Sequence, residues 1–394
     1  MSEISETLDR TEAPFDAARL DELMEAAGID VILATSRHNN RYLMGGYAFL
    51  FFSAMEAIGH SRYLPAVIYA RGRPEHAGYV GHGMERYDHA VKPFWTPAFY
   101  PIAAGSRGTA GLAADHLAKI GAGRARIGVE PGFLPSDAQA LLAERLPGAR
   151  FVDATAVLER LRAVKTPVEL AKLRECSERI TDAMLAVIGW AREGTSKAAI
   201  IERLRREEVE RGLHFDYCLL TLGASHNRAP SEQAWAPGEV LSVDSGGNLD
   251  GYIGDLARMG LLGEPDTELE DLLAEVDAVQ QAAFSRVRAG APGGEVGARA
   301  LEVMKAGPGG GYSDFFVHGM GLISHEAPFL MANGMYDPVD AERPLETGMV
   351  LSVETTMRHP RRGYIKLEDT VAVTPDGYEL FGTHGRGWIR GGTA

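Results

Sequence analysis

Two cysteines, Cys176 and Cys218, are all that the 394-residue chain contains. That count excludes a disulfide framework and a thiolate-built zinc site, and it fits a reducing, cytoplasmic setting. Long apolar runs are also missing. No stretch approaches the roughly 18 residues that a membrane-spanning helix needs, and YAFLFFSAM (47–55) reads as a buried segment. Positive charge is in deficit: 40 Lys and Arg face 54 Asp and Glu, a net −14 without a basic run. A nucleic-acid footprint is therefore not expected. The opening MSEISETLDRTEAPFD is polar and acidic, so a signal peptide is not expected there. No solenoid-length repeat and no low-complexity tract occurs. What remains is ordinary globular composition, 45% hydrophobic and 24% charged, in a chain long enough for two domains.

The first part alternates helix and strand signals. Leu20, Leu23, Met24 and Ala27 keep helical spacing and Gly28 ends that helix. DVILAT (30–35), PAVIYA (65–70), ARIGVE (125–130) and ARFVDA (149–154) read as strands, with Ser136 expected to cap a helix reaching about Arg145. This predicts an α/β domain over 1–160. A second domain over 161–394 opens with a helix at KTPVEL, where Thr166 is the N-cap, Pro167 the first helical residue and Glu169 the capping-box partner. Leu173, Cys176, Ile180 and Met184 share one face of that helix. Further helices are expected from Ser196 to Gly212, over 267–288 and over 294–305. Strands are expected at YCLLTLG, EVLSVDSGG, GMVLSVETTM and YIKLEDTVAV. The second domain is thus α+β, with an antiparallel sheet.

Titratable residues concentrate in three places. In SVDSGGNLDGYIGDLARMG (242–260), Asp244 and Asp255 flank a glycine-rich turn that holds Asp250. Two strands joined there bring the carboxylates together, which is costly unless a cation or a proton intervenes. Glu354 and Glu368 each sit in a strand-like run between apolar neighbours, so they read as buried and in need of a partner. VHGMGLISHEAP (317–328) adds His318, His325 and Glu326. Four carboxylates and one imidazole suit Mn, Fe, Co or Zn. Five donors are too many for one ion that must also hold substrate, and two ions sharing bridging carboxylates fit better.

The ordered set D-x-G…G-Y-x-x-D, H-G-x-G-x-x-x-H-E-x-P and two strand glutamates, the second as L-E-D-T-V, resembles the pita-bread metallopeptidases. These include Xaa-Pro dipeptidase, aminopeptidase P and creatinase. LRAVKTPVELAKLR (161–174) and HNNRYLMGGY (38–47) extend the resemblance over nearly the whole chain. It implies a creatinase-like N-terminal domain, a pita-bread catalytic domain, a homodimer and two divalent ions, manganese first. It also implies roles: Asp244, Asp255, His318, Glu354 and Glu368 as metal ligands, with Asp255 and Glu368 bridging and Glu354 taking the proton of the attacking water. His325 and His226 would meet substrate, and Lys366 would grip a substrate carboxylate where relatives carry arginine. Glu326 reads as a structural hydrogen-bonding group, and the glycines of 317–328 as places where backbone passes close to the cluster.

Three departures bear on substrate: Ala257 replaces the threonine of D-x-T-R, Thr355–Thr356 replaces P-G after Glu354, and Lys366 replaces arginine. The leading expectation is a dinuclear hydrolase of a small amide or dipeptide. The alternatives are a creatinase-like C–N hydrolase, a lyase acting on dimethylsulfoniopropionate, or a binding scaffold without activity.

Overall fold

The computed structural model describes residues 12–56, 61–101, 105–332, 334 and 336–393. The chain divides into two compact units, Met1–Arg162 and Ala163–Ala394.

The first unit runs α1 (Ala17–Ala26), β1 (Val31–Ala34), α2 (Arg37–Leu43), β2 (Ala66–Ala70), β3 (Arg73–Val80), α3 (Glu85–Val91), β4 (Ala98–Tyr100), α4 (Ser106–Lys119), β5 (Arg126–Val129), α5 (Ser136–Arg145), β6 (Arg150–Asp153) and α6 (Thr155–Ala163). Helix α1 buries Leu20 and Met24, four residues apart on one face. Gly28, at φ +64°, then turns the chain into β1. The sheet order is β4-β3-β2-β1-β5-β6. It is mixed: β1 pairs parallel with β5 and antiparallel with β2. Strands β1 and β2 are apolar and buried throughout, and β5 is buried from Ile127 to Val129, as central strands of an α/β sheet must be. Two details differ from the sequence expectation. Ser136 is the first helical residue of α5, and Pro135 holds the cap position. YAFLFFSAM forms a short 3₁₀ turn at Leu50–Phe52 that buries Phe49, Phe52 and Met55 but leaves Leu50 exposed.

The second unit contains α7 (Pro167–Trp190), α8 (Lys197–Glu210), β7 (His214–Leu222), β8 (Val240–Leu249), β9 (Tyr252–Leu261), α9 (Thr267–Phe284), α10 (Gly294–Ala306), β10 (Ser313–Gly319), β11 (Val350–His359), β12 (Gly363–Val373), β13 (Tyr378–Phe381) and β14 (Ile389–Arg390). The capping box forms as expected. Thr166 Oγ1 accepts from Glu169 N at 3.3 Å, and Glu169 Oε2 accepts from Thr166 N at 2.7 Å. The sheet order β10-β11-β12-β9-β8-β7 is antiparallel at every step. Helices α7 and α9 cover one of its faces. Ile180 of α7 packs so closely on β9 that a Cβ at Gly254 would meet its Cδ1 at 2.7 Å. Gln280 of α9 is wholly buried and donates to Val353 O and Leu367 O at 2.8 and 2.7 Å, tying β11 to β12. Among the described residues no helix is long and apolar enough to cross a membrane.

Candidate metal centre

Strand register builds the centre. Reading across the sheet, Phe316 faces Glu354, Glu354 faces Glu368, Glu368 faces Ala257, Ala257 faces Asp244 and Asp244 faces Leu219. Directly opposed residues share a face, and so do residues two apart on one strand. Asp255 is two before Ala257, His318 two after Phe316, Lys366 two before Glu368 and Ser352 two before Glu354. All therefore emerge on the face opposite α7 and α9. The β8–β9 hairpin turns at Asp250–Gly251, with φ of +50° and +90°, the left-handed pair that a two-residue hairpin needs. Asp250 is a turn residue, as expected, and reaches Lys172 at 3.3 Å.

The five expected ligands converge. Asp244, Asp255 and Glu368 form one group, and His318, Glu354 and Glu368 a second. Asp255, His318 and His325 form a third, the donor atoms within each lying inside 4.8 Å of one another. Asp244, Asp255, His318 and Glu368 are almost wholly buried. Glu354 keeps 20% of its side chain exposed. Burial, with Glu368 and Asp244 beside it, raises the Asp255 carboxyl well above the usual carboxylate range. His318 Nε2 is buried and has no hydrogen-bond partner, its nearest carboxylate oxygen being Glu368 Oε1 at 4.0 Å.

His325 lies over His318, ring centroids 3.9 Å apart and planes 4° from parallel. Its Nδ1 is 3.4 Å from Tyr336 Oη. Burial first, then His318 and Lys366, lower its pKa to about 4, so the ring is neutral at neutral pH. The glycines of this stretch do a different job from the one expected. A Cβ on Gly319 would meet Ala327 and Pro328 backbone atoms at 2.4 Å, and one on Gly321 would meet Glu326 Oε1 at 2.3 Å. They let residues 319–321 close against 326–328, which returns His325 to His318. Glu326 pairs with Lys165 at 2.9 Å, both side chains buried, in the structural role expected of it.

One residue sits elsewhere than expected. Lys366 does not present its charge to an incoming carboxylate. Its side chain is 3% exposed and Nζ lies 2.5 Å from Asp244 Oδ2, 2.5 Å from Glu354 Oε2 and 2.8 Å from Glu368 Oε2. Burial pulls that ammonium pKa down, but Asp244, Glu354 and Glu368 outweigh it and raise it well above the ordinary lysine value. The reason is parity: a residue two from a ligand on the same strand must face the cluster. His226 is exposed and stands outside the three donor groups, its ring 6.2 Å from that of Tyr364.

Sequence reasoning missed four supporting groups. The Tyr217 hydroxyl donates to Asp255 Oδ1, and Arg228 donates to Asp244 Oδ2. Tyr217 can cross to Asp255 because its cross-strand partner is Gly246, where a Cβ would fall 2.3 Å from the tyrosine ring. Ser352 Oγ donates to Glu368 Oε1 at 2.7 Å. On the far face, buried Arg258 donates to Glu368 O and to Asp369 Oδ1, and Asp369 in turn receives Arg386. Only the Gly246 position carried a signal for any of these, as a glycine inside a strand marks close approach.

Comparison with known proteins agrees with this architecture. The model for the Creatinase/Prolidase N-terminal domain matches residues 17–164. A probable dipeptidase PepE of Mycobacterium tuberculosis is 31% identical over 234 residues, which cover 57% of this chain and 60% of that protein. The match thus spans about three fifths of that relative. A peptidase YqhT of Bacillus subtilis is 25% identical over 91% of this chain and 95% of its own length. Among solved structures, an Xaa-Pro dipeptidase from Bacillus anthracis superposes with a TM-score of 0.79 and 23% identity. It covers 95% of this chain and 98% of that one, a likeness of fold. The model for metallopeptidase family M24 matches residues 171–375, a little over half of the sequence and all five expected ligands. The chain belongs to metallopeptidase family M24.

Proposed function

We propose that this chain is a metal-dependent hydrolase that cleaves Xaa-Pro dipeptides or closely similar small substrates. The observation that carries the reading is the convergence of Asp244, Asp255, His318, Glu354 and Glu368 on one sheet face, with a buried imidazole nitrogen left unpartnered among them. An unpaired buried nitrogen beside crowded carboxylates is expensive in a folded protein, and a divalent ion resolves both costs. The donors, one nitrogen among carboxylate oxygens, fit manganese first, with iron, cobalt or zinc also compatible.

A divalent ion held by Asp244, Asp255, His318, Glu354 and Glu368 would make a bound water more acidic and would polarise a carbonyl. The residues around it divide the remaining work. Glu354, the least buried of the four carboxylates, accepts the proton of the attacking water and returns it to the leaving nitrogen. Neutral His325, held by stacking on His318, donates a hydrogen bond to the carbonyl oxygen as charge develops there. Tyr217 and Ser352 fix the orientation of Asp255 and Glu368. His226 and Tyr364 stand beside Arg228, where a substrate end group can meet them. The expected setting is a cytoplasmic homodimer without nucleic-acid or membrane partners.

The creatinase-like and lyase-like alternatives are not favoured, since the similar proteins are named as peptidases. A substrate panel tests the reading. Hydrolysis of an Xaa-Pro dipeptide above that of a longer proline peptide supports it. Activity only on betaines or cyclic amides contradicts it.

A further inference from the structure

We propose that this centre carries one of its own cations: the Lys366 ammonium takes one of two cation places, and a single divalent ion is held tightly on the His318 side. The inference rests on the metal-hydrolase reading and refines its ion count. Lys366 Nζ lies within 2.8 Å of oxygens from three carboxylates on three strands, Asp244 of β8, Glu354 of β11 and Glu368 of β12. An ammonium has three N–H donors, and three acceptors surround this one. The four-carbon stem is buried, so the group is not an exposed lysine that has drifted inward.

Charge counting points the same way. Arg228 also bonds Asp244 Oδ2, so two protein cations share that oxygen. With all four carboxylates ionised, as ligation of a metal ion requires, one ammonium and one guanidinium leave two negative charges. One divalent ion cancels them. Two would leave the buried centre with two excess positive charges, which a site removed from water does not tolerate cheaply.

Geometry then places the ion. His318 Nε2, buried and without a hydrogen-bond partner, lies beside Glu368 Oε1, the oxygen that Lys366 does not hold. Asp255 shares a donor group with His318 and completes that side. Asp244, by contrast, is committed to Lys366 and Arg228. On this reading Lys366 is a positioning residue that fixes how many ions the site accepts.

The test is metal stoichiometry, independent of activity. Wild type, Lys366→Gln, Lys366→Met, Asp244→Asn and His318→Ala chains are saturated with MnCl₂, desalted into metal-free buffer and counted by plasma mass spectrometry. Circular dichroism confirms that each is folded. Expected counts per chain are one for wild type, two for Lys366→Gln or Lys366→Met, one for Asp244→Asn and none for His318→Ala. Two ions in wild type overturn the inference while leaving the hydrolase reading intact. So does one ion in wild type that Asp244→Asn removes and His318→Ala retains. No ion in saturated wild type overturns both. If neither Lys366 variant folds, the wild-type, Asp244→Asn and His318→Ala counts still decide.

Discussion

Glu130 in the first unit and Glu368 in the second are both glutamates withdrawn from water, and they are satisfied in opposite ways. Glu130 stands alone among neutral donors: Thr35 N at 2.6 Å, Ser36 N at 2.9 Å and Asn39 Nδ2 at 2.6 Å. Glu85 of the same unit is held likewise by Tyr63 and Tyr79 hydroxyls and by His82 N. Glu368 shares its surroundings with Asp244, Asp255 and Glu354, and the groups that answer it are an ammonium and one serine hydroxyl. Neutral donors at hydrogen-bond distance make a buried carboxylate a structural tie. Several carboxylates crowded around too few donors make a cation trap. Burial alone therefore does not mark a functional acid. The number of like charges that share the burial does.

The largest expected effect breaks the second kind. Asp255→Ala or Glu368→Ala removes a carboxylate that two donor groups share, and each is expected to abolish both retained metal and turnover, read by plasma mass spectrometry and a dipeptide assay. His325→Ala leaves those groups with their carboxylates. It is expected to keep the metal and lower kcat by roughly 10²- to 10⁴-fold, the usual scale for a lost proton-transfer or hydrogen-bonding partner in the transition state. Full activity in that variant would remove His325 from the mechanism.

Glu130→Ala breaks the first kind. It strands two backbone N–H groups and an asparagine amide, at a cost of about 2–4 kcal/mol in stability by calorimetry. Metal content should not change, and a change there would erase the distinction between the two environments.

The smallest effect sharpens the comparison with an intermediate case. Glu208 is fully buried with Ser245 Oγ at 2.9 Å on one oxygen and no partner on the other, and burial raises its pKa to about 7. A carboxyl raised on folding contributes stability that is complete below its unfolded value near 4.5 and is lost as pH rises through about 7. Glu208→Gln is therefore expected to stabilise the chain at pH 8 by on the order of 2 kcal/mol. The gain should vanish at pH 4, measured as the difference in Tm at the two pH values.

The four candidate carboxylate ligands were legible in the sequence because each breaks a local rule. Glu354 and Glu368 are charges in strands that are otherwise apolar, and Asp244 and Asp255 flank a turn whose Asp-Gly pair fixes the hairpin register. With register known, parity puts all five donors on one face. Helix α7 was legible from its cap and its 3.6-residue stripe. Strand β3 was not, because its first half, Arg73 to His76, carries a half-exposed polar edge that reads as loop. Tyr217 and Arg228 were not, because their partners lie 38 and 16 residues away and the contact exists only once β7 is paired. Lys366 was legible as a residue of the site but not in its direction. The partners that draw its ammonium inward, Asp244 and Glu354, come from other strands, and nothing local to IKLED specifies them.

Chelation followed by metal return tests the central claim most directly. The chain is dialysed against EDTA, freed of chelator, and assayed on an Xaa-Pro dipeptide before and after MnCl₂ is added. The account expects hydrolysis to disappear with the metal and to return with it, while an Asp255→Ala chain treated the same way stays silent throughout. Undiminished hydrolysis by metal-free protein, or full recovery in Asp255→Ala, would contradict it.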